Sequence, residues 1–521
     1  MPPEIPQGWR SPRGSSWLLP LALWAVVCVV GHAFWLTRPF VNQEQVFWCA
    51  ARAFVDPGFE EGFARYWREQ SNPLGYSAIA AFSASALGLP LTPWSVRLPS
   101  LAGGVILLVA GWVLARELRP DEPRLYRAWA GVVTLNPLVW VYTGEATADV
   151  LPAGLAALAL ALAVRGRRER RGHPFAAALL AVGVLVKLNV VLIGAGVAFA
   201  VLSPDARRPT SLPARLRDLS WYAALPGASV ALYAWWVHER FGHVLLPERA
   251  WHVHAPMTLG LQWASVFLTY ASYLALLVGP LALLVPGRAW HWPSRRVGVL
   301  AAVGAVTAAA AEWLGRGDVG GEMGYGSFDQ ILPGGAGGTL RAAGIAVAVF
   351  LFADMLRRAI VDRAWCAGLV LATVVPYVAL SSLSRPAQRY LLLCLPLVLF
   401  DLVVGAPGGP LGPVRKLCAA TMVVFGALSV AGSAAIAANG RAAEAMTDWI
   451  ESRGWIAQTD PGELRGHTGH RFPLDSPADA RFVVVVGDPG ASLHEERVLV
   501  FGHSLRRYSL VEKGAPSPSR R

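Results

Sequence analysis

Long uninterrupted apolar runs constrain this chain more than any other feature of its sequence. The runs at residues 17–37, 262–284 and 419–437 are close to the roughly 20 residues that a helix needs to cross a bilayer. Inside a bilayer the backbone must satisfy its own hydrogen bonds, so such runs are expected to be helices. With 54% hydrophobic and 15% charged residues, the sequence predicts an all-α polytopic membrane protein.

Clusters of basic residues orient the predicted helices. The formal net charge is +12, and most of it lies in short loops that the positive-inside rule places in the cytoplasm. Such loops include residues 116–127, 165–171, 207–217 and 357–363. Placing them on one side predicts about 13 transmembrane helices in the inner or plasma membrane, with a cytoplasmic N-terminus. Because the topology accounts for the charge, no nucleic-acid partner is expected.

Two segments are predicted to lie outside the spans. Residues 38–98 form a first extracytoplasmic loop with an amphipathic segment at 42–54 and an apolar interfacial helix at 73–89, and long loops with their own helices are usually functional. The chain then divides into a transmembrane domain, residues 1–438, and a small soluble extracytoplasmic α/β unit, residues 439–521. That unit is predicted to contain a helix at 442–452 and strands at 482–486, 497–501 and 507–511.

Four polar clusters fall on the predicted extracytoplasmic side. Ionisable groups near membrane depth are costly, so acids and bases gathered at one face indicate a functional site. The alternative is that they are interfacial anchors and helix caps. The members are Glu44 with Asn42 and Gln43, Glu145 with Asp149, Lys187, and Arg385 with Arg389 and Tyr390.

Histidines and cysteines give weaker signals. Five cysteines form no disulfide framework. Four histidines lie in one outer loop, and imidazole suits zinc, but no cysteine or close carboxylate completes a ligand set. An interfacial loop is therefore preferred, no cofactor is expected to be required, and a divalent metal stays an open alternative. The loop histidines are His238, His243, His252 and His254.

Six motifs in order resemble the C-type glycosyltransferase fold (GT-C), and within it the bacterial relatives of dolichyl-phosphate-mannose protein mannosyltransferases and lipid A aminoarabinose transferases. The first-loop segment 42–52 is similar to the family's Asp-Glu-containing helix, and segment 72–82 to its Pro-Pro-Leu segment. The others are similar to an Arg-Leu-Pro-Ser helix opening, a second outer loop with an Asp, a Lys-Pro hairpin and an Arg-Tyr motif. They read NQEQVFWCAAR, NPLGYSAIAAF, SVRLPSLAGG, YTGEATADVLP, GVLVKLNVVL and RPAQRYLLLCLP.

The resemblance implies an enzyme that moves a sugar, with inversion, from a polyprenyl-phosphate donor to an acceptor hydroxyl. The acceptor is a glycan, a lipid or a protein, and membrane lipids surround the site. A carboxylate must take the acceptor proton, and Glu44 is the expected base, with Asp149 and Glu145 orienting the acceptor or a basic partner. Cations must stabilise the departing phosphate, a role expected for Lys187, Arg385 and Arg389, with Tyr390 beside them.

The sequence departs from the family pattern at two positions. Gln43 stands where the catalytic Asp is expected, and an amide cannot accept a proton; Asn72 stands where the aminoarabinose branch has a lysine. Three explanations follow: Glu44 acts as the base, the register slips by one residue, or the chain is catalytically silent. A lipid or solute transporter is the remaining alternative, although transporters tend to place ionisable groups near the membrane midplane on broken helices.

Overall fold

The computed structural model describes residues 15–38, 40, 44–70, 72–169, 171–204, 210–246, 261–285, 299–307, 309, 336–383, 388–405, 411–454, 457–459, 482–486, 492–500 and 503–512. Helices dominate these residues, and a small sheet follows them. In chain order the first helices are α1 (Ser15–Leu36), α2 (Glu44–Val55), α3 (Glu61–Glu69), α4 (Gly75–Ala86), α5 (Pro93–Leu118), α6 (Pro123–Leu135), α7 (Pro137–Thr143) and α8 (Val150–Glu169).

The second half continues the helical array and ends in strands. Residues 299–307 are helical as well. The labelled helices are α9 (His173–Val186), α10 (Gly194–Leu202), α11 (Leu212–Phe241), α12 (Leu261–Val278), α13 (Ala336–Ile360), α14 (Trp365–Ser381), α15 (Leu395–Val403) and α16 (Leu411–Glu451). The strands are β1 (Ala457–Thr459), β2 (Phe482–Val486), β3 (His494–Val500) and β4 (His503–Glu512).

Apolar helices of spanning length confirm a multi-pass membrane protein. Among the described residues, six helical segments are long and apolar enough to cross a bilayer, and three shorter apolar helices accompany them. The total of thirteen spans stays a prediction. The six segments are Leu18–Leu36, Pro93–Leu118, Val150–Arg167, Trp263–Leu283, Thr339–Ile360 and Val414–Ile450.

Two predicted membrane segments are broken at identifiable residues. The predicted span at 126–141 divides into α6 and α7 because Pro137 lacks the N–H that a continuous helix needs, and the Asn136 side chain caps α7 by accepting from Leu138 N at 3.1 Å. The predicted break at Lys187 is present, since α9 ends at Val186 and a 3₁₀ segment, Leu188–Ile193, leads into α10. The hairpin arrangement of the two helices stays a prediction.

Small residues let α5 and α8 pack in close contact at the centre of the bundle. A Cβ added to Gly103 would lie 2.5 Å from Leu151 Cα, and one on Gly154 would lie 2.4 Å from Gly103 O. Membrane helices pack tightly through such small residues. This contact holds the start of α5 beside the start of α8, where the candidate site residues lie.

The first loop folds into three short helices: α2 and α4 fall at the two predicted helical segments, and α3 was not predicted. Aromatic rings join α2, α3 and the end of α11: Phe63 and Trp67 contact Phe241 at ring centroid distances of 5.3 and 4.3 Å. The Leu74 amide donates to Tyr233 Oη at 3.0 Å. The loop is therefore packed against the end of a long helix.

The C-terminal segment contains the predicted strands in a four-stranded sheet. Its strand order is β1-β2-β4-β3, with β1 and β2 parallel and the other pairs antiparallel. The helix predicted at 442–452 is not separate, because α16 continues through it and packs Met446 and Ile450 with Val484 and Leu510 of the sheet. The predicted domain boundary at 438/439 falls within this continuous helix and stays a prediction.

Candidate active site

A fully buried ion pair joins the first loop to α5. Arg97 donates from Nε to Glu44 Oε1 at 2.7 Å and from Nη2 to Glu44 Oε2 at 2.6 Å. Both side chains are 0% exposed. The same guanidinium donates from Nη1 to the carbonyls of Leu36 at 2.5 Å and Arg38 at 2.8 Å. Arg97 therefore ties the end of α1 and the start of α2 to the first turns of α5.

A backbone amide also donates to Glu44. The Ala146 amide in the loop between α7 and α8 donates to Glu44 Oε1 at 2.7 Å. Burial alone would raise the pKa of Glu44, but the charge and hydrogen bonds of Arg97, the charge of Arg38 and the Ala146 amide outweigh it and hold that pKa below its usual range. A carboxylate held by this many donors is a weak proton acceptor.

Glu145 lies one residue from that amide but in different surroundings. Its Oε1 is 3.9 Å from Arg38 Nη2, and its side chain is 2% exposed. Among the described residues, Oε1 has no hydrogen-bond partner. Burial and the nearby Glu44 charge raise the pKa of Glu145 to about 8, against the opposing charges of Arg38 and Arg97. Near neutral pH these surroundings favour the protonated form of Glu145.

Lys187 and Asp149 form a second buried pair. Lys187 Nζ donates to Asp149 Oδ1, and the two side chains are 5% and 3% exposed. The Lys187 ammonium also lies 4.5 Å from the ring centroid of Tyr390. Lys187 has an extended backbone between α9 and the 3₁₀ segment, and this break in the helix directs the chain toward the start of α8.

Arg389 completes the cluster from the 3₁₀ segment Gln388–Leu393. Its guanidinium hydrogen-bonds the Tyr390 hydroxyl. It also lies within electrostatic reach of Asp149, Tyr142 and Glu145. The described cluster thus contains two cations, Lys187 and Arg389, near Asp149, and Arg38 lies near Glu145.

The structure brings together most of the predicted site residues. Asn72 lies half-buried in the turn before α4, and no described contact joins it to the ion pairs. His243 contacts the Trp67 ring at a centroid distance of 5.6 Å. Within the described part of the chain, no group of three or more His, Cys, Asp or Glu residues could hold a metal. Five predicted residues lie outside the described ranges, namely Asn42, Gln43, His252, His254 and Arg385.

Sequence reasoning missed the two arginines that pair with the carboxylates. Arg97 appeared only within the Arg-Leu-Pro-Ser motif, and a charged residue in the first turns of an apolar helix is a signal that could have identified it. Arg38 is the first residue of the predicted loop and had been counted as a loop boundary. Neither partner can be read from spacing, because 53 residues separate Glu44 from Arg97.

Comparison with known proteins supports the predicted resemblance over part of the chain. Residues 71–236 match the family model described as dolichyl-phosphate-mannose-protein mannosyltransferase. This segment contains Arg97, Glu145, Asp149 and Lys187. The chain therefore resembles these membrane glycosyltransferases in the segment that supplies much of the buried cluster.

Two solved structures align along nearly the whole chain. The crystal structure of ArnT from Cupriavidus metallidurans bound to undecaprenyl phosphate has 16% sequence identity and a TM-score of 0.45, covering 96% of this chain and 98% of that one. The same protein in the apo state has 16% identity and a TM-score of 0.43, covering 95% and 98%. Among curated proteins, no sequence matches the chain significantly.

We expect substitutions of Glu44 and Arg97 to have strongly non-additive effects on the free energy of unfolding. Removing one partner leaves a buried uncompensated charge, so Glu44→Leu or Arg97→Met should each cost about 3–5 kcal/mol. The double variant should recover part of that loss. Unfolding of the purified single and double variants in detergent measures this coupling. The control is Glu169→Ala, which breaks an exposed pair with Arg165 and should change stability by about 0–1 kcal/mol. Additive single effects would contradict the coupling.

We expect Glu145 to make stability depend on pH. Its folded pKa, about 8, is above the unfolded value, so the folded state binds the proton more tightly and loses stability as pH rises toward 8. Glu145→Gln removes this loss. The melting temperature of Glu145→Gln minus that of the wild type should therefore increase between about pH 5 and 8 and then level off. A melting-temperature difference that stays constant with pH would contradict the raised pKa of the buried Glu145.

Proposed function

We propose that this chain is an inverting glycosyltransferase that moves a sugar from a polyprenyl-phosphate donor to an acceptor hydroxyl at the extracytoplasmic membrane face. The observation that carries the proposal is the cluster of Glu145, Asp149, Lys187 and Arg389 at one end of the helical bundle, in which the first three side chains are buried and Arg389 is half-buried. Buried ionisable groups at one face of a membrane protein mark a functional site. The family match over residues 71–236 supports a polyprenyl-phosphate donor.

In this proposal the cations bind the donor phosphate. Arg389 offers a planar fork that suits phosphate oxygens, and Lys187 adds a compact charge. Their positive charge stabilises the negative charge that grows on the phosphate as the sugar leaves. Asp149 holds Lys187 in place through their hydrogen bond, and Tyr390 lies beside both cations. Arg385 is retained as a further predicted phosphate ligand.

Glu145 is the proton acceptor in our proposal. The acceptor hydroxyl oxygen attacks the anomeric carbon from the face opposite the phosphate, and its proton moves to the Glu145 carboxylate. The bond between the anomeric carbon and the phosphate oxygen breaks, and the electron pair leaves with the polyprenyl phosphate. A base works best when its pKa is near the working pH, and the Glu145 pKa of about 8 meets that requirement. Its Oε1 has no hydrogen-bond partner among the described residues.

Glu44 has a positioning role in this proposal. Its three donors keep it charged, and that charge raises the pKa of Glu145. The assignment also explains how the chain can function with Gln43 in place of the expected Asp: the acid of the second loop accepts the proton. The first-loop helix then contributes structure and electrostatics, and the Glu44 base stays the competing assignment.

Sugar transfer from a panel of polyprenyl-phosphate sugars by purified protein in nanodiscs tests the proposal. We expect Glu145→Gln to lower the transfer rate by about 10²–10⁴-fold, the usual contribution of general-base catalysis, while donor binding persists. Glu169→Gln, an exposed carboxylate on α8, is the matched control and should transfer normally.

The same assay separates the competing assignments. If Glu44→Gln, assayed at a temperature where it is still folded and binds donor, removes transfer while Glu145→Gln retains it, the base is Glu44. If no member of the panel binds or reacts, the chain is a silent homologue or a transporter and the proposed function is wrong.

A further inference from the structure

Three side chains of the candidate site are only half-buried, whereas its carboxylates and Lys187 are buried. The three are Tyr142 at the end of α7 and Arg389 and Tyr390 in the 3₁₀ segment. An incoming substrate can therefore reach these side chains first. Arg389 and Tyr390 have places in the proposed reaction, but no step of that reaction involves Tyr142.

The rotation of α7 sets the direction of the Tyr142 side chain. Trp140 Nε1 donates to Ser433 Oγ of α16 at 3.0 Å, so the Trp140 side chain faces α16. Successive residues of an α-helix are rotated by about 100°, which places Tyr142 about 200° from Trp140, on the opposite side of the helix. α7 also packs against α8 and the 3₁₀ segment Gln388–Leu393. Tyr142 therefore faces away from α16 and toward the candidate site.

Charged groups of the site surround the Tyr142 phenol. Glu145, Arg389 and Asp149 all lie within electrostatic reach of it. Burial and the charges of the two carboxylates raise the pKa of Tyr142, against the opposing charge of Arg389. The hydroxyl therefore keeps its proton near neutral pH and can both donate and accept a hydrogen bond. Among the described residues, none forms a hydrogen bond with this hydroxyl.

The positions of these charged groups indicate what the phenol would contact. In the proposed reaction the donor phosphate lies at Lys187 and Arg389, and the acceptor hydroxyl lies at Glu145. An inverting displacement has the attacking and leaving oxygens on opposite faces of the anomeric carbon, so the sugar lies between them. Because Tyr142 is within reach of both Arg389 and Glu145, its side chain borders the space that the sugar would occupy.

We propose that Tyr142 contacts the sugar that is transferred, with its hydroxyl hydrogen-bonded to a sugar hydroxyl. A phenol oxygen offers one donor and also accepts, which matches a sugar hydroxyl. The ring adds an apolar surface for the C–H groups of the sugar. This assignment rests on the proposed function, and it makes Tyr142 the residue that distinguishes a sugar-bearing lipid phosphate from the lipid phosphate alone.

Binding of two lipid probes separates a contact with the sugar from a contact with the phosphate. The purified full chain in nanodiscs is titrated with polyprenyl phosphate, and with whichever of polyprenyl-phosphate mannose, glucose and arabinose the wild type transfers. Tyr142→Phe keeps the ring and removes the hydroxyl. It should weaken binding of the sugar donor by about 2–10-fold, the usual effect of losing one neutral hydrogen bond. Its binding of polyprenyl phosphate should not change.

Tyr222→Phe is the matched control, because the Tyr222 hydroxyl also makes one hydrogen bond, with His173 Nδ1 at 3.0 Å. His173 begins α9, at the opposite end from Lys187, so this variant should bind both probes like the wild type. Equal weakening of both probes by Tyr142→Phe would assign the hydroxyl to the phosphate, and unchanged binding and transfer would remove it from the site. Either result overturns the inference. A wild type that binds and transfers none of the donors contradicts the proposed function itself, and the inference with it.

Discussion

The buried pair of Glu44 and Arg97 is the interaction on which the rest of the site depends. One guanidinium joins the end of α1, the start of α2 and the first turns of α5, and the carboxylate extends the connection to Ala146. The α1–α2 connection, the start of α5 and the loop before α8, which are far apart in sequence, therefore meet at one point. A buried ion pair contributes little net stability against an apolar replacement, but breaking it is costly, so its main effect is to fix one arrangement of these segments.

That arrangement gives the three carboxylates different properties. Glu44 is saturated with donors and stays charged, whereas Asp149 is paired with Lys187. Burial and the nearby Glu44 charge raise the pKa of Glu145, and the opposing charges of Arg38, at 3.9 Å, and Arg97 do not offset them. Groups whose surroundings separate their pKa values can take different roles in one reaction. The same geometry places the Arg38 guanidinium 3.9 Å from the proposed base.

The sequence predicted much of the architecture and less of the site. Apolar runs predicted the membrane helices, the break at Lys187 was visible in the pattern, and the strand at 482–486 was predicted with its observed bounds. The break at Asn136-Pro137 was missed although its signal is local. The pairing of Glu44 with Arg97 joins residues 53 positions apart, and the contrast between Glu44 and Glu145 depends on burial and donors, which no local pattern contains.

The central claim is that Glu145 accepts the proton, and the pH dependence of single-turnover sugar transfer tests it most directly. If Glu145 is the base, the wild-type rate should rise as pH increases and level off above about 8, the pKa of that carboxyl. Glu145→Gln should be slow at every pH. A wild-type rate that is constant from about pH 5 to 9 would contradict the claim, since a carboxylate with a low pKa, such as Glu44, would already be ionised over that whole range.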